Sequence, residues 1–360
     1  MSGPVNSSGI APSQRNPRYA SDARPQVTSQ TSTDLKHPGA IDMEFGFGVA
    51  MRGSKAAREF LERQVKHGES LGFDIVTVSD HVIIPKEVQS IYPYSEDGAF
   101  SGVDAGECLE QLTVAMFLAA HTSNIKVMTS VMVLPHRPAV LAAKILASLD
   151  VLSGGRLIIG VGAGWMQEEF EALDTAPYEH RGSVANDYIR AFKEMWTSDE
   201  PEYNGTYAHV SGMSFYPKPV QDPHPPIWVG GESPPALRRA GQLGNAWYPI
   251  GSNPVFPMDT PERLAEGMAT VRRHAEEAGR DPASIDFGYS AGWYDDRGEK
   301  PGRDGDRMVF TGTSDQVVAD IREFETLGVR HLIVGLDGTT PEETLDRMER
   351  FATEVMPYAS

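Results

Sequence analysis

The chain has 360 residues, 40% of them hydrophobic, and a formal net charge of −18 that gives a pI near 5.0. This acidity argues against nucleic acid and anionic membrane surfaces as partners, because both would be repelled. No apolar run is long enough to cross a bilayer, and the single cysteine, Cys108, excludes an internal disulfide.

Residues 1–40 are rich in Ser, Pro, Gln and Thr and nearly free of large apolar side chains. Such a segment cannot bury enough surface to offset its ordering entropy, so we predict a disordered tail followed by one domain over 41–360. The N-terminus lacks a signal-peptide core, which predicts a cytoplasmic protein. Cys108 stands where a helix begins and is interpreted as a packed structural thiol.

Apolar strands alternate with helices along the rest of the chain, and Gly72, Gly244 and Gly328 each end a helix just before a strand. This pattern predicts an α/β fold, the (β/α)8 TIM barrel. The predicted strands cover 43–49, 74–79, 125–132, 156–161, 226–229, 245–248, 285–291 and 331–334. Long insertions at 81–104, 166–216 and 292–310 follow strand C-termini, the face where such barrels keep their sites, so we expect them to cover the site.

The stretch from Leu152 to Trp165 combines a helix end, a buried strand and three alternating glycines, Gly160, Gly162 and Gly164. It is not a dinucleotide fingerprint, because Trp165 stands where the third glycine of that motif belongs. The missing side chains would let main-chain N–H groups approach a cofactor's rings or phosphate. The alternative is that the glycines serve only a tight turn.

Two other strand ends carry candidate site residues. Asp80 and His81 follow the second strand, where His81 could bond a ring carbonyl or act as a general acid; the alternative is local capping by Asp80 with His81 packed beside it. Gly230, Gly231 and Ser233 precede a helix and could cradle a phosphate, although Ser233 could be a plain N-cap.

Together these motifs resemble the bacterial luciferase-like monooxygenase superfamily over residues 43–358, and most closely its branch that uses the deazaflavin coenzyme F420 in place of FMN. The motifs that carry the resemblance are Ser79-Asp80-His81, Thr129-Ser130-Val131 with Leu134-Pro135, Leu149-Asp150 with Leu152-Ser153-Gly154-Gly155-Arg156, Gly160-x-Gly162-x-Gly164-Trp165, His180-Arg181-Gly182 and Val229-Gly230-Gly231-x-Ser233.

The resemblance implies an oxidoreductase that transfers hydride between F420 and an unknown small organic substrate, working as a homodimer without a metal. The alternatives are an FMN-dependent monooxygenase, in which reduced flavin reacts with oxygen, and a catalytically silent barrel that serves as a binding or partner subunit.

The resemblance also implies roles for individual residues. A non-prolyl cis peptide between Ser130 and Val131, in a bulge of the third strand, would back the cofactor ring. The other implied assignments are Asp80 and His81 beside the ring's reactive edge, Gly162 and Gly164 along the cofactor's chain, Gly230, Gly231 and Ser233 at its phosphate, and Arg181 among the cofactor-binding residues. Trp165 departs from the sugar-phosphate dehydrogenases of this branch, which have a proton-donating glutamate there; Glu168 and Glu169 lie a turn later.

Overall fold

The computed structural model describes residues 43–100 and 108–359. Its strands are β1 (Glu44–Gly48), β2 (Ile75–Val78), β3 (Lys126–Val133), β4 (Leu157–Gly162), β5 (Tyr203–Asn204), β6 (His209–Val210), β7 (Ile227–Gly230), β8 (Ala246–Tyr248), β9 (Asp286–Ala291) and β10 (His331–Val334). All but β5 and β6 form one closed parallel barrel, in the order β1-β2-β3-β4-β7-β8-β9-β10. The predicted TIM barrel is confirmed.

The helices are α1 (Arg58–Ser70), α2 (Gln111–Ala120), α3 (Ala139–Ser153), α4 (Gln167–Ala172), α5 (Arg181–Thr197), α6 (Pro234–Leu243), α7 (Pro261–Glu277), α8 (Ser314–Leu327) and α9 (Pro341–Glu354). The predicted glycine at the end of a helix is confirmed at Gly328, which has the left-handed φ of 106°. Gly244 differs: its φ of −78° is extended, so it ends α6 without a left-handed turn.

Apolar side chains form two clusters, one inside the barrel and one around it. Met128, Ile158, Trp228, Tyr248 and Ile333 form a buried cluster inside the ring of strands, while a larger cluster lies between the strands and the surrounding helices. The interior leaves no room for a side chain at Gly46 of β1, whose Cβ would lie 2.3 Å from Ile333 Cδ1. The interior around Gly46 is therefore packed, as expected of a barrel whose site lies at its C-terminal mouth.

The long insertions follow the C-terminal ends of β2, β4 and β9, as predicted. The second contains α4, α5 and the antiparallel pair β5–β6, which the sequence analysis did not predict. The predicted disordered tail, 1–40, and residues 101–107, which include the end of the first insertion, lie outside the described residues. No helix in the described part of the chain is long and apolar enough to cross a membrane.

Candidate active site

The third strand carries an irregularity at the predicted position. The register between β3 and β4 shifts between Thr129 and Met132, and the Ser130–Val131 peptide bond is cis, which confirms the prediction. The Val131 side chain lies in the space left free by two glycines: a Cβ at Gly162 would be 2.8 Å from Val131 Cγ2, and one at Gly230 would be 3.0 Å from Cγ1. Both glycines are therefore needed to accommodate this valine, whatever their role toward a cofactor.

Asp80 lies just beyond β2 and is buried. Its two oxygens each accept a 2.8 Å hydrogen bond from Arg137, and Oδ2 accepts another of 2.9 Å from the N–H of Val133. Val133 ends β3, so Asp80 ties β2 to the strand that carries the bulge. These partners are internal, and contact between Asp80 and a cofactor stays a prediction.

His81 is paired with a buried carboxylate that comes from the second insertion. Its Nδ1 lies 3.0 Å from Oε2 of Glu169 on α4, and the Glu169 side chain is only 1% exposed. Burial opposes ionisation of Glu169, but the hydrogen bond with His81 and the nearby His136 outweigh it, so the pKa of Glu169 lies below its usual value. The sequence places Glu169 near the site but does not indicate its partner.

An aromatic cluster covers His81. The Phe100 ring lies 5.2 Å from that of His81 and 5.1 Å from that of Trp165, and Tyr92 lies 5.1 Å from Trp165. Trp165 thus packs among aromatic rings, at the position where the resemblance implies a glutamate in the sugar-phosphate dehydrogenases. Two of the three rings come from the first insertion, consistent with its predicted position over the site.

The predicted phosphate cradle lies at the start of α6. Gly231 has a φ of 97°, which favours glycine, and the hydroxyl of Ser233 makes no capping hydrogen bond although Ser233 is the N-cap residue. Pro234 and Pro235 have no N–H, so the first turn of α6 offers fewer donors than the sequence analysis assumed. The Ser233 hydroxyl, which has no hydrogen-bond partner among the described residues, remains as a donor.

Arg239 on this helix and Arg181 at the start of α5 have no carboxylate partner among the described residues. Arg181 bonds the carbonyl oxygens of Gly164 and Tyr178. Arg239 of α6, 5% exposed, bonds Gly182 O and Asn186 Oδ1. Burial, with a smaller contribution from Arg181, lowers the pKa of Arg239 to about 10. Two neighbouring guanidinium groups without counter-charges suit an anion such as a phosphate.

Arg239 was missed by the sequence analysis. The available signal was an arginine on the apolar face of α6, three residues after Ala236 and without an acidic residue one turn away on that helix. Within the described residues, no cluster of His, Cys, Asp and Glu side chains could hold a metal ion.

The sequence was compared with known proteins. The family model described as luciferase-like monooxygenase matches residues 43–299. An uncharacterised protein of Mycobacterium tuberculosis is 33% identical over 215 residues, covering 60% of this chain and 71% of that protein. The FMNH2-dependent dimethylsulfone monooxygenase of Pseudomonas putida is 33% identical over 190 residues, 52% of each chain.

The structure was compared with solved ones. The coenzyme F420-dependent tetrahydromethanopterin reductase of Methanopyrus kandleri superposes with a TM-score of 0.68 and 17% identity, covering 89% of this chain and 100% of that one. At this identity the likeness concerns the fold alone.

Proposed function

We propose that this chain, which belongs to the luciferase-like monooxygenase family, binds the deazaflavin F420 and transfers hydride between F420 and a small organic substrate. The members of this family are F420- or flavin-dependent oxidoreductases and monooxygenases. The bound cofactor would supply the hydride chemistry. The protein's own residues would hold the cofactor, orient the substrate and move a proton.

The observation that carries this proposal is the pairing of His81 with Glu169 at the mouth of the barrel. Hydride transfer to or from a carbon that bears oxygen requires a proton to be delivered to that oxygen or taken from it. A histidine held by a buried carboxylate is suited to this task near neutral pH. The aromatic rings of Phe100 and Trp165 beside it limit the access of water.

The start of α6 supports the binding of a phosphate-bearing cofactor. The turn at Gly231 and the Ser233 hydroxyl could receive the phosphate, while the charges of Arg181 and Arg239, which have no carboxylate partner among the described residues, locally oppose the negative field of an acidic chain. F420 and FMN both carry a phosphate, so this site supports either cofactor and does not choose between them.

An FMN-dependent monooxygenase is the second candidate. The observation in its favour is the 33% identity with the FMNH2-dependent enzyme of Pseudomonas putida, over about half of each chain. In that case His81 would face an oxygenation reaction rather than a reversible hydride transfer.

Equilibrium titration of the protein with F420 and with FMN, followed by tryptophan fluorescence, tests the proposal. The proposal requires F420 to bind more tightly than FMN, and a roughly tenfold difference in Kd, about 1.4 kcal/mol, would separate the two candidates. Trp165→Phe serves as a control: it should reduce the quenching amplitude, because Trp165 lies at the mouth. Tighter binding of FMN, together with oxygen consumption when reduced FMN is supplied, would favour the second candidate.

A further inference from the structure

Glu169 receives three hydrogen bonds that divide its two oxygens between the main chain and His81. Oε1 accepts from the N–H groups of Val82, at 2.5 Å, and Ile83, at 3.1 Å, while Oε2 faces His81 Nδ1 at 3.0 Å. Both main-chain donors belong to the residues that directly follow His81. Glu169 therefore fixes the main chain and the imidazole ring together.

The charge of Glu169 determines where the proton of His81 lies. An ionised carboxylate can only accept hydrogen bonds, so Nδ1 of His81 must be the donor. In the neutral ring this leaves the lone pair on Nε2, which makes no hydrogen bond to any residue in the described ranges 43–100 and 108–359.

His136 is the other titratable ring beside Glu169, and it does not compete for Oε2. Its Nε2 lies 4.0 Å away, beyond hydrogen-bond distance, and neither of its ring nitrogens has a hydrogen-bond partner among the described residues. Burial lowers the pKa of His136, which favours its neutral form. The charge of Glu169 therefore acts mainly on His81.

We infer that Glu169 is a positioning residue that fixes His81 as its Nδ1–H tautomer and presents Nε2 to the substrate. The inference rests on the proposed function in one respect, namely that Nε2 is the nitrogen that exchanges a proton during hydride transfer. The tautomer itself requires no cofactor, so it can be tested separately.

Glu169→Gln should reverse the tautomer. The amides of Val82 and Ile83 both require an acceptor at the Oε1 position, so the amide oxygen of the new side chain would occupy it. Its NH2 group would then face Nδ1 of His81, which would have to accept, and the ring proton would move to Nε2. Nε2 of His81 would then carry the ring proton in place of a lone pair, so it could not accept a proton from the substrate.

The chain offers a matched control in the preceding residue. Glu168 also binds two main-chain N–H groups and one side chain of the first insertion: Gln89 N at 2.6 Å, Ser90 N at 2.9 Å and Ser90 Oγ at 2.6 Å. It makes no contact with His81. Glu168→Gln therefore removes the same charge from the same helix and disturbs the same insertion, while the tautomer of His81 should stay unchanged.

The experiment is nitrogen NMR of the cofactor-free protein labelled with 15N-histidine, at about pH 9, where free histidine is neutral. The His81 signals are identified by their absence in His81→Asn. We expect Nδ1–H in the wild type and in Glu168→Gln, and Nε2–H in Glu169→Gln. An Nε2–H tautomer in the wild type would overturn the inference even if Glu169→Gln failed to fold, and so would an unchanged tautomer in a folded Glu169→Gln.

Activity measured afterwards separates the two levels of the proposal. If F420 supports turnover, Glu169→Gln should lower kcat by about 10²- to 10⁴-fold while the Kd for the cofactor changes less than about twofold. If neither cofactor binds but the tautomer reverses as expected, the assignment of Glu169 stands and the proposed function fails. If the tautomer reverses and kcat does not change, Nε2 is not the reacting nitrogen and that part of the inference is wrong.

Discussion

Asp80 and Arg137 form a two-pronged ion pair beneath the mouth of the barrel, with both N–O distances at 2.8 Å and side chains that are 0% and 9% exposed. The pair joins the segment after β2 to the segment after β3. Because Val133 also donates to Asp80, the ion pair holds the end of the strand that carries Val131. Asp80 thus holds the end of β3, next to the Ser130–Val131 bond that is predicted to lie against the cofactor ring.

Asp80→Asn should therefore destabilise the protein. Among the described residues, the substitution leaves the buried guanidinium of Arg137 with Glu110, 38% exposed, as its one remaining carboxylate partner, and loss of one member of a buried pair costs about 3 kcal/mol or more. Urea unfolding measures this loss. Glu110→Gln is the control: that carboxylate is 38% exposed but also accepts the α2 N-cap bond from Thr113 N, so its loss should cost about 1 to 2 kcal/mol, less than the loss at Asp80. Wild-type stability in Asp80→Asn with reduced turnover would instead favour direct contact with the reactants.

Ser233→Ala should weaken cofactor binding without changing stability. Its hydroxyl makes no capping bond, so a phosphate is the partner that the substitution would remove, at a cost of about 1 kcal/mol, or roughly fivefold in Kd. The N-cap Thr313 is the matched control, because its hydroxyl accepts a hydrogen bond from Gln316 N in a capping box. Thr313→Ala should lower the free energy of unfolding by about 1 kcal/mol and leave Kd unchanged.

Thermal unfolding and cofactor titration of both variants check this prediction. If Ser233→Ala lowers stability and leaves Kd unchanged, the residue is a plain N-cap in solution, and the phosphate must be held elsewhere.

The barrel could be predicted because its signals are local. Each strand is a short apolar run, and the capping box at Thr313 and Gln316 lies within four residues of sequence. The cis bond at Ser130–Val131 came from a resemblance to a known family, since no propensity predicts it. The sequence indicates Gly162 and Gly230 as site candidates. Their packing against Val131 depends on how three strands lie together, which the sequence does not show.

The contact between His81 and Glu169 could not be predicted for a related reason. The two residues are 88 positions apart, and their distance depends on how α4 packs against the first insertion. Arg239 was missed because the sequence cannot show that a helical arginine is buried without a counter-charge. In both cases the contacts depend on how a helix packs against distant parts of the chain, which the sequence does not show.

A charged cluster lies at the opposite end of the barrel, where the strands begin. His331 at the start of β10 has Nδ1 3.0 Å from Glu44 Oε2, while its Nε2 lies 3.7 Å from Asp286 Oδ2, too far for a hydrogen bond. Burial opposes protonation of His331, but the two carboxylates outweigh it and raise its pKa. The hydrogen bond from His331, followed by the contact with Lys126, lowers the pKa of Glu44 to about 2 despite its burial.

These pKa shifts predict the pH range in which the cluster stabilises the folded protein. The raised pKa of His331 contributes stability below about pH 6.5 that is lost as pH rises through the folded-state value. The lowered pKa of Glu44 contributes stability above about pH 4.5 that is lost as pH falls toward 2. His331→Phe keeps a ring against Trp228, 4.5 Å away in the wild type. The difference in unfolding free energy between wild type and His331→Phe should peak between about pH 4.5 and 6.5, measured by urea unfolding across pH. A difference that grows above pH 7 would contradict the pairing.

The last prediction uses the two ring nitrogens of His81 separately. His81→Ala should lower turnover by about 10²- to 10⁴-fold if the ring moves a proton. The amide nitrogen of Asn lies near the position of Nδ1, so His81→Asn can still donate to Glu169 but presents nothing at the position of Nε2. His81→Asn should therefore restore the stability that is lost in His81→Ala and leave turnover low.

The longer Gln reaches the Nε2 position but cannot relay a proton near neutral pH, so His81→Gln should recover only the part of turnover that depends on orientation. Turnover and a melting curve for the three variants decide the role of the ring, and wild-type turnover in His81→Asn would mean that His81 serves only to anchor the loop to Glu169.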